Sequence, residues 1–217
     1  MANQFIYGAN PVAEAERGRR RVHRVWRAPE TSAEELERMC GSPDHQGVVA
    51  EVDPYPYGDP VGMLKQEGSL LVALDQVQDP RNLGAVCRSA EFAGAVGVVI
   101  PERRSAAVTP VVCKTSAGAV EHLQVAHVRN LADWLAEAKE AGFWIWGADA
   151  EAEQAPWGVD LTGSTVLVLG GEGKGLRPRV ASACDGLVAL PRGGQVESLN
   201  VSAAATALLF EALRQRA

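Results

Sequence analysis

The chain is predicted to be an α/β protein built on a parallel sheet with helices on both faces, preceded by a small α/β module. From Ser69 onward, apolar runs alternate with helical windows, the signature of a parallel sheet covered on both sides. The segment Asp53-Pro-Tyr-Pro-Tyr-Gly-Asp-Pro-Val-Gly62 concentrates proline and glycine so densely that regular structure is not expected there. The composition, 47% hydrophobic and 22% charged over 217 residues, suits a soluble chain with a full-sized core. Together these divide the chain into a module at 1–58 and a larger domain at 66–217.

In the module, residues 5–12 read as a turn into a helix, with Asn10 as cap and Pro11 at the first helical position. Residues 22–26 alternate apolar and basic side chains, a strand pattern. Residues 31–39 read as a helix, with Ser32 as cap and Glu35 completing a capping box. A returning strand is expected at 46–52. In the larger domain, strands are expected at 70–74, 96–100, 123–126, 143–148, 165–169 and 186–190, and helices at 82–93, 109–116, 131–141 and 198–214. No internal repeat or low-complexity tract is present.

The longest apolar stretches, such as 96–100 and 165–169, fall far short of the roughly 20 residues a membrane helix requires. The N-terminus lacks the basic stretch and apolar block of a secretory signal, so a cytoplasmic location is expected. Cys40, Cys87, Cys113 and Cys184 form no C-x-x-C pair, which argues for small buried thiols over a zinc site or disulfide framework. A net charge of −6 opposes a nucleic-acid partner on average, but Arg17, Arg19, Arg20, Arg21, Arg24 and Arg27, with His23, form an uninterrupted basic run. That run is either a phosphate-binding patch or a solvated helix end and edge strand.

Three segments carry the chemistry. The first, Asp75 to Ala90, follows a strand and opens a helix, gathering polar residues at the C-terminal edge of a parallel sheet, where open α/β folds bind ligands. Asn82 and Arg88 both face that edge only if Asn82 lies at or before the helix start. An arginine there can hold a phosphate bidentately, and a cap with a surface arginine is the structural alternative. The second, Val168-Leu-Gly-Gly-Glu-Gly-Lys-Gly-Leu176, follows a strand with glycines that allow main chain to approach a ligand. A phosphate-loop reading fails because Gly175-Leu176 stands where lysine and a hydroxyl belong, and a dinucleotide fingerprint fits only partly. The third, Leu190 to Ala205, joins a strand to an alanine-rich helix capped by Ser198 or Asn200 through a glycine-containing loop whose amides and carbonyls are free for a ligand.

Taken in order, D-P-x-N-x-G-x-x-x-R, L-G-G-E-G-x-G and L-P-x-G-G-x-x-x-S-L-N-V-S-x-A closely resemble the TrmH-like (SpoU) branch of the SPOUT RNA methyltransferases. Tyr7 to Val12 and His45 to Ala50 further resemble the RNA-binding extension of the 23S rRNA guanosine methyltransferases of that branch, although the stretch 28–44 makes this a shortened module. The resemblance implies a C-terminal trefoil knot, which general rules against knotted chains would not suggest. It also implies a homodimer and S-adenosylmethionine as methyl donor, with no metal. Backbone at Leu169, Gly170, Gly171, Leu190, Ser198 and Leu199 would hold the donor. Arg88 would help deprotonate a ribose 2′-hydroxyl, with Asn82, Glu172, Ser198 and Asn200 organising the site. The basic residues Arg17, Arg19, Arg20, Arg21 and Arg24 would bind RNA. A guanosine of 23S rRNA is the leading substrate, and tRNA, or a non-catalytic role in ribosome assembly, the alternatives.

Overall fold

The computed structural model describes residues 3–171, 173 and 175–217. Its N-terminal part is a three-stranded antiparallel sheet of β1 (Gln4–Tyr7), β2 (Val22–Arg27) and β3 (Val48–Val52), in the order β1-β3-β2. Helices α1 (Ala9–Arg17) and α2 (Ala33–Cys40) accompany it. Ser32 caps α2 as expected, its hydroxyl accepting a hydrogen bond from the Glu35 amide at 3.2 Å, but among the described residues the Glu35 carboxylate does not return the bond that would complete a capping box.

The start of the chain differs from expectation. Residues 4–7 form a strand, because Ile6 pairs with Ala50 and is fully buried, a cross-strand contact no local window can reveal. Gly8, at φ 102°, then turns the chain directly into α1, so Asn10 lies inside the helix and does not cap it. Pro11 remains in the first helical turn, where its missing N–H costs nothing.

The larger sheet contains β4 (Leu70–Asp75), β5 (Gly97–Pro101), β6 (Gln124–Val128), β7 (Trp144–Ala148), β8 (Thr165–Gly170) and β9 (Gly186–Val188). Their order is β6-β5-β4-β8-β7-β9 and every pair is parallel. All six C-terminal ends therefore emerge along one edge. Each strand of the centre sends alternate residues to opposite faces. Val72, Leu74, Val98, Leu167 and Leu169 enter one core, with α3 (Pro80–Phe92), α4 (Pro110–Thr115) and α7 (Val201–Arg216). Leu71, Ala73, Val99, Val166 and Val168 enter the other, with α5 (Leu131–Glu140) and α6 (Pro178–Ala183). Helix α6 was not expected; six residues opened by Pro178 leave too short a pattern to detect beside the glycines of 170–175.

The N-terminal module is not separate from this body. Ile6, Val12, Val48 and Val52 share one hydrophobic cluster with Val72, Leu83 and Val98. The segment after β3 lies along the edge strand β6, where the Gly58 amide donates to the Val125 carbonyl at 2.8 Å. Among the described residues, no helix is long and apolar enough to cross a membrane.

Candidate active site at the C-terminal edge of the sheet

The edge is organised from β4 and β8, whose last residues, Asp75 and Gly170, are register partners. Asp75 is buried, and its carboxylate accepts hydrogen bonds from the Arg177 amide at 2.9 Å and from Arg177 Nε at 2.7 Å. This charge-assisted pair fastens the chain leaving β8 back onto β4. Gly170 and Gly171 permit the close approach. A Cβ on Gly170 would lie 2.1 Å from the Gly175 carbonyl carbon, and one on Gly171 would lie 2.6 Å from the Gln76 oxygen. Any side chain would fill the space through which main chain meets main chain. Leu169 is buried in the core, so only its backbone is available to a ligand. Glu172 lies outside the described residues.

Helix α3 begins beside this point. Asp79 caps it, accepting from the Arg81 amide at 2.8 Å, so Asn82 falls in the first turn, one residue pair inside the expected boundary. Asn82 is buried. Asn200 Nδ2 donates to Asn82 Oδ1 at 3.1 Å, joining the first and third segments across the fold. The orientation of Asn200 is itself fixed, because its Oδ1 accepts from the Ser202 amide at 2.9 Å as the N-cap of α7. The helix thus starts at Val201 with Asn200 as cap, not Ser198. A second link, between Ser89 Oγ and Thr206 Oγ1 at 2.7 Å, holds α3 and α7 together.

Arg88 is exposed on α3, and its guanidinium has no ion-pair partner among the described residues. Because Asn82 lies inside the helix and not at or before its start, the condition under which Asn82 and Arg88 both face this edge is not met: Arg88 stands six residues further along α3, exposed to solvent. Leu190 lies just past β9, half-buried against the core. Ser198 and Leu199 belong to a wholly exposed loop, 191–200, in which Leu199 is 61% exposed. The segments Gly170–Gly171 and 190–199 follow β8 and β9, which emerge on the same edge on either side of β7. Among the described residues, no group of three His, Cys, Asp or Glu is placed to hold a metal ion.

The basic run behaves differently from expectation at Arg20. That side chain is buried and doubly hydrogen-bonded to Glu121, with Nε to Oε2 at 2.9 Å, and also donates to Cys113 Sγ at 3.2 Å. It cannot contact RNA. Its partner lies 101 residues away, so no inspection of the run itself could have exposed the pairing. Arg19 donates to the Leu123 carbonyl at 2.6 Å and the Tyr55 hydroxyl at 3.1 Å, and Arg17 pairs with Glu14 at 3.1 Å. Arg24 lies over the Trp26 ring at 5.0 Å, and Arg21 is exposed. Cys113 and Cys87 are buried, whereas Cys40 and Cys184 are only half-buried.

A parallel α/β domain whose C-terminal edge is packed through glycine main chain, with α7 tied to α3, is the architecture in which open α/β folds bind ligands at the strand ends. The profile of the SpoU rRNA methylase family matches residues 69–210, and a profile described as RNA 2′-O ribose methyltransferase substrate binding matches residues 27–58. The chain belongs to the SpoU rRNA methylase family. It is 46% identical over 186 residues to the 23S rRNA (guanosine-2′-O-)-methyltransferase RlmB of Xanthomonas campestris pv. campestris, covering 83% of this chain and 75% of that one. To the protein of the same name from Pseudomonas syringae pv. tomato it is 47% identical over 179 residues, covering 79% and 71%. The crystal structure of the SpoU methyltransferase AviRb from Streptomyces viridochromogenes, in complex with the cofactor AdoMet, superposes with a TM-score of 0.84 at 26% identity, covering 99% of this chain and 91% of that one.

Proposed function

We propose that this protein transfers a methyl group from S-adenosylmethionine to the ribose 2′-hydroxyl of a guanosine in 23S rRNA. The observation that carries the reading is the match of residues 69–210 to the SpoU rRNA methylase family, and the Asn200–Asn82 hydrogen bond at 3.1 Å joins two of that family's segments in the fold. The guanosine of 23S rRNA is favoured over tRNA by the two RlmB relatives, and the AdoMet-bound AviRb structure supports the donor.

The residues present fit such a donor. The exposed 190–199 loop presents main chain to solvent, which suits a ligand held by backbone groups, while Gly170 and Gly171 let the chain leaving β8 pack against the main chain of Gly175 and Gln76. Gly170, Gly171, Leu190, Ser198 and Leu199, with the Leu169 backbone, would hold it. When bound, the sulfonium supplies an already activated methyl group. The chain then has two tasks, positioning the hydroxyl and drawing its proton away. Arg88, exposed and unpaired, is suited to the second. Asn82 and Asn200 fix the helix that carries it, and Ser198 and Glu172 complete the proposed site.

The reading includes a trefoil knot at the C-terminus, an RNA-binding module at 1–58 beside a catalytic domain at 66–217, a cytoplasmic location and a homodimer. The dimer is supported by Phe92 on α3 and Phe210 on α7, which stack at 5.8 Å with 71% and 44% of their surfaces exposed. An apolar pair so exposed on the Arg88 helix suits a partner subunit. Incubation with labelled S-adenosylmethionine and separate 23S rRNA and tRNA pools, followed by nucleoside mass spectrometry, tests the function. Ribose-methylated guanosine from 23S rRNA is expected. Absence of ribose methylation on every RNA, with the donor demonstrably bound, overturns it.

A further inference from the structure

Charge on this acidic chain is distributed unevenly once ion pairs are considered. Among the described residues, the arginine side chains with no hydrogen bond, ion pair or ring contact are Arg21, Arg81, Arg88, Arg103, Arg104 and Arg129. Arg81, Arg103, Arg104 and Arg129 lie on segments leaving the C-terminal ends of the adjacent strands β4, β5 and β6. All four are exposed.

The fold brings these segments together. Pro101 and Val128 are register partners at the ends of β5 and β6, and the Glu102 amide donates to the Val128 carbonyl at 2.9 Å. The loop holding Arg103 and Arg104 then crosses toward β4, where the Ala106 amide donates to the Val77 carbonyl at 2.9 Å. Val77 precedes Asp79, the cap of the helix that carries Arg81, Asn82 and Arg88. Arg104 holds φ at 59°, a left-handed conformation that costs a non-glycine residue roughly 1 kcal/mol. Glu102, the acidic neighbour in this loop, pairs with none of the arginines.

Four unneutralised guanidinium groups on one edge, none held by the protein, are arranged for phosphates. We propose that Arg81, Arg103, Arg104 and Arg129 form a track for the RNA backbone that runs along the ends of β6, β5 and β4 to Arg88. The proposal rests on the RNA methyltransferase reading. It moves the principal phosphate contacts from the Arg17–Arg24 run to the catalytic edge.

The experiment compares wild-type protein with a fourfold variant, Arg81→Ala, Arg103→Ala, Arg104→Ala and Arg129→Ala, binding a labelled 23S rRNA transcript across a salt series. Each lost phosphate contact should reduce the slope of log affinity against log salt by about 0.7 to 0.9, so the variant's slope should fall by about 3. Affinity in moderate salt should fall about 100-fold. The Michaelis constant for RNA should rise accordingly, with calorimetric affinity for S-adenosylmethionine unchanged. The corresponding fourfold lysine variant should retain most of the slope, since charge is preserved. Unchanged slope and affinity in the alanine variant, while wild type binds and methylates the RNA, would overturn the track alone. A wild type that neither binds nor methylates RNA would overturn the functional reading and the track with it.

Discussion

Two regions of this molecule are dense in charged and polar groups, and they use them in opposite ways. At the junction between the module and the body, Arg20, Tyr55 and Glu121 are buried together, and the exposed Arg19 reaches in to the Tyr55 hydroxyl. Tyr55 donates to the Val120 and Leu123 carbonyls, each at 3.0 Å, and burial holds its hydroxyl proton well above the ordinary range. By contrast, Arg81, Arg88, Arg103, Arg104 and Arg129 have no such partners among the described residues, and the 191–200 loop faces solvent throughout. Groups that satisfy each other stabilise a joint, while groups left unsatisfied at a surface are available to a ligand.

The sharpest separation of the two regions is expected from Arg88→Ala. Turnover should fall by about 10³-fold or more, with donor affinity and unfolding midpoint nearly unchanged. A large loss of donor affinity, measured by calorimetry, would show that Arg88 serves the donor and not the hydroxyl. Glu121→Ala should do the reverse, leaving Arg20 buried without its counter-charge and lowering stability by about 3–5 kcal/mol in denaturant titrations. Replacing both, Arg20→Met with Glu121→Leu, should recover most of that loss. If the single change is silent, the junction is not the joint described.

Asn200 belongs partly to each category, since it both caps α7 and reaches Asn82. Asn200→Ala should cost about 1–2 kcal/mol in the same titrations. A double-mutant cycle with Asn82→Ala should return a coupling of about 1 kcal/mol. The smallest effect concerns the thiols. Burial pushes Cys113 up to about 11 and Cys184 up to about 12, with Arg20 opposing the shift at Cys113 and Lys139 at Cys184. At pH 8, native protein treated with iodoacetamide should be labelled at Cys40 first, with Cys113 and Cys184 protected until unfolding, as peptide mass spectrometry would read.

Most of the larger domain was legible because a parallel strand buried on both faces, such as Leu70–Asp75, is an unbroken apolar run. The glycine and asparagine segments were legible as a family pattern, and the fold brings Asn82 and Asn200 into contact. What escaped notice depended on distant partners. The strand Gln4–Tyr7 exists because β3 pairs with it, and Arg20 is buried because Glu121 waits for it. The unpaired arginines at 103, 104 and 129 were overlooked for the converse reason: scattered in sequence, they meet only where three parallel strands end together.

The segment laid along β6 has a further consequence. A six-stranded open sheet has two flanks that are ready templates for another chain's backbone. Here the β6 flank is occupied through the Gly58 amide, with the Tyr57 hydroxyl accepting from the Val108 amide at 2.9 Å nearby. The β9 flank is three residues long and is met by the Gln154 segment, which accepts from the Ala189 amide at 2.8 Å. Each flank therefore already carries a main-chain contact that an added strand would have to displace.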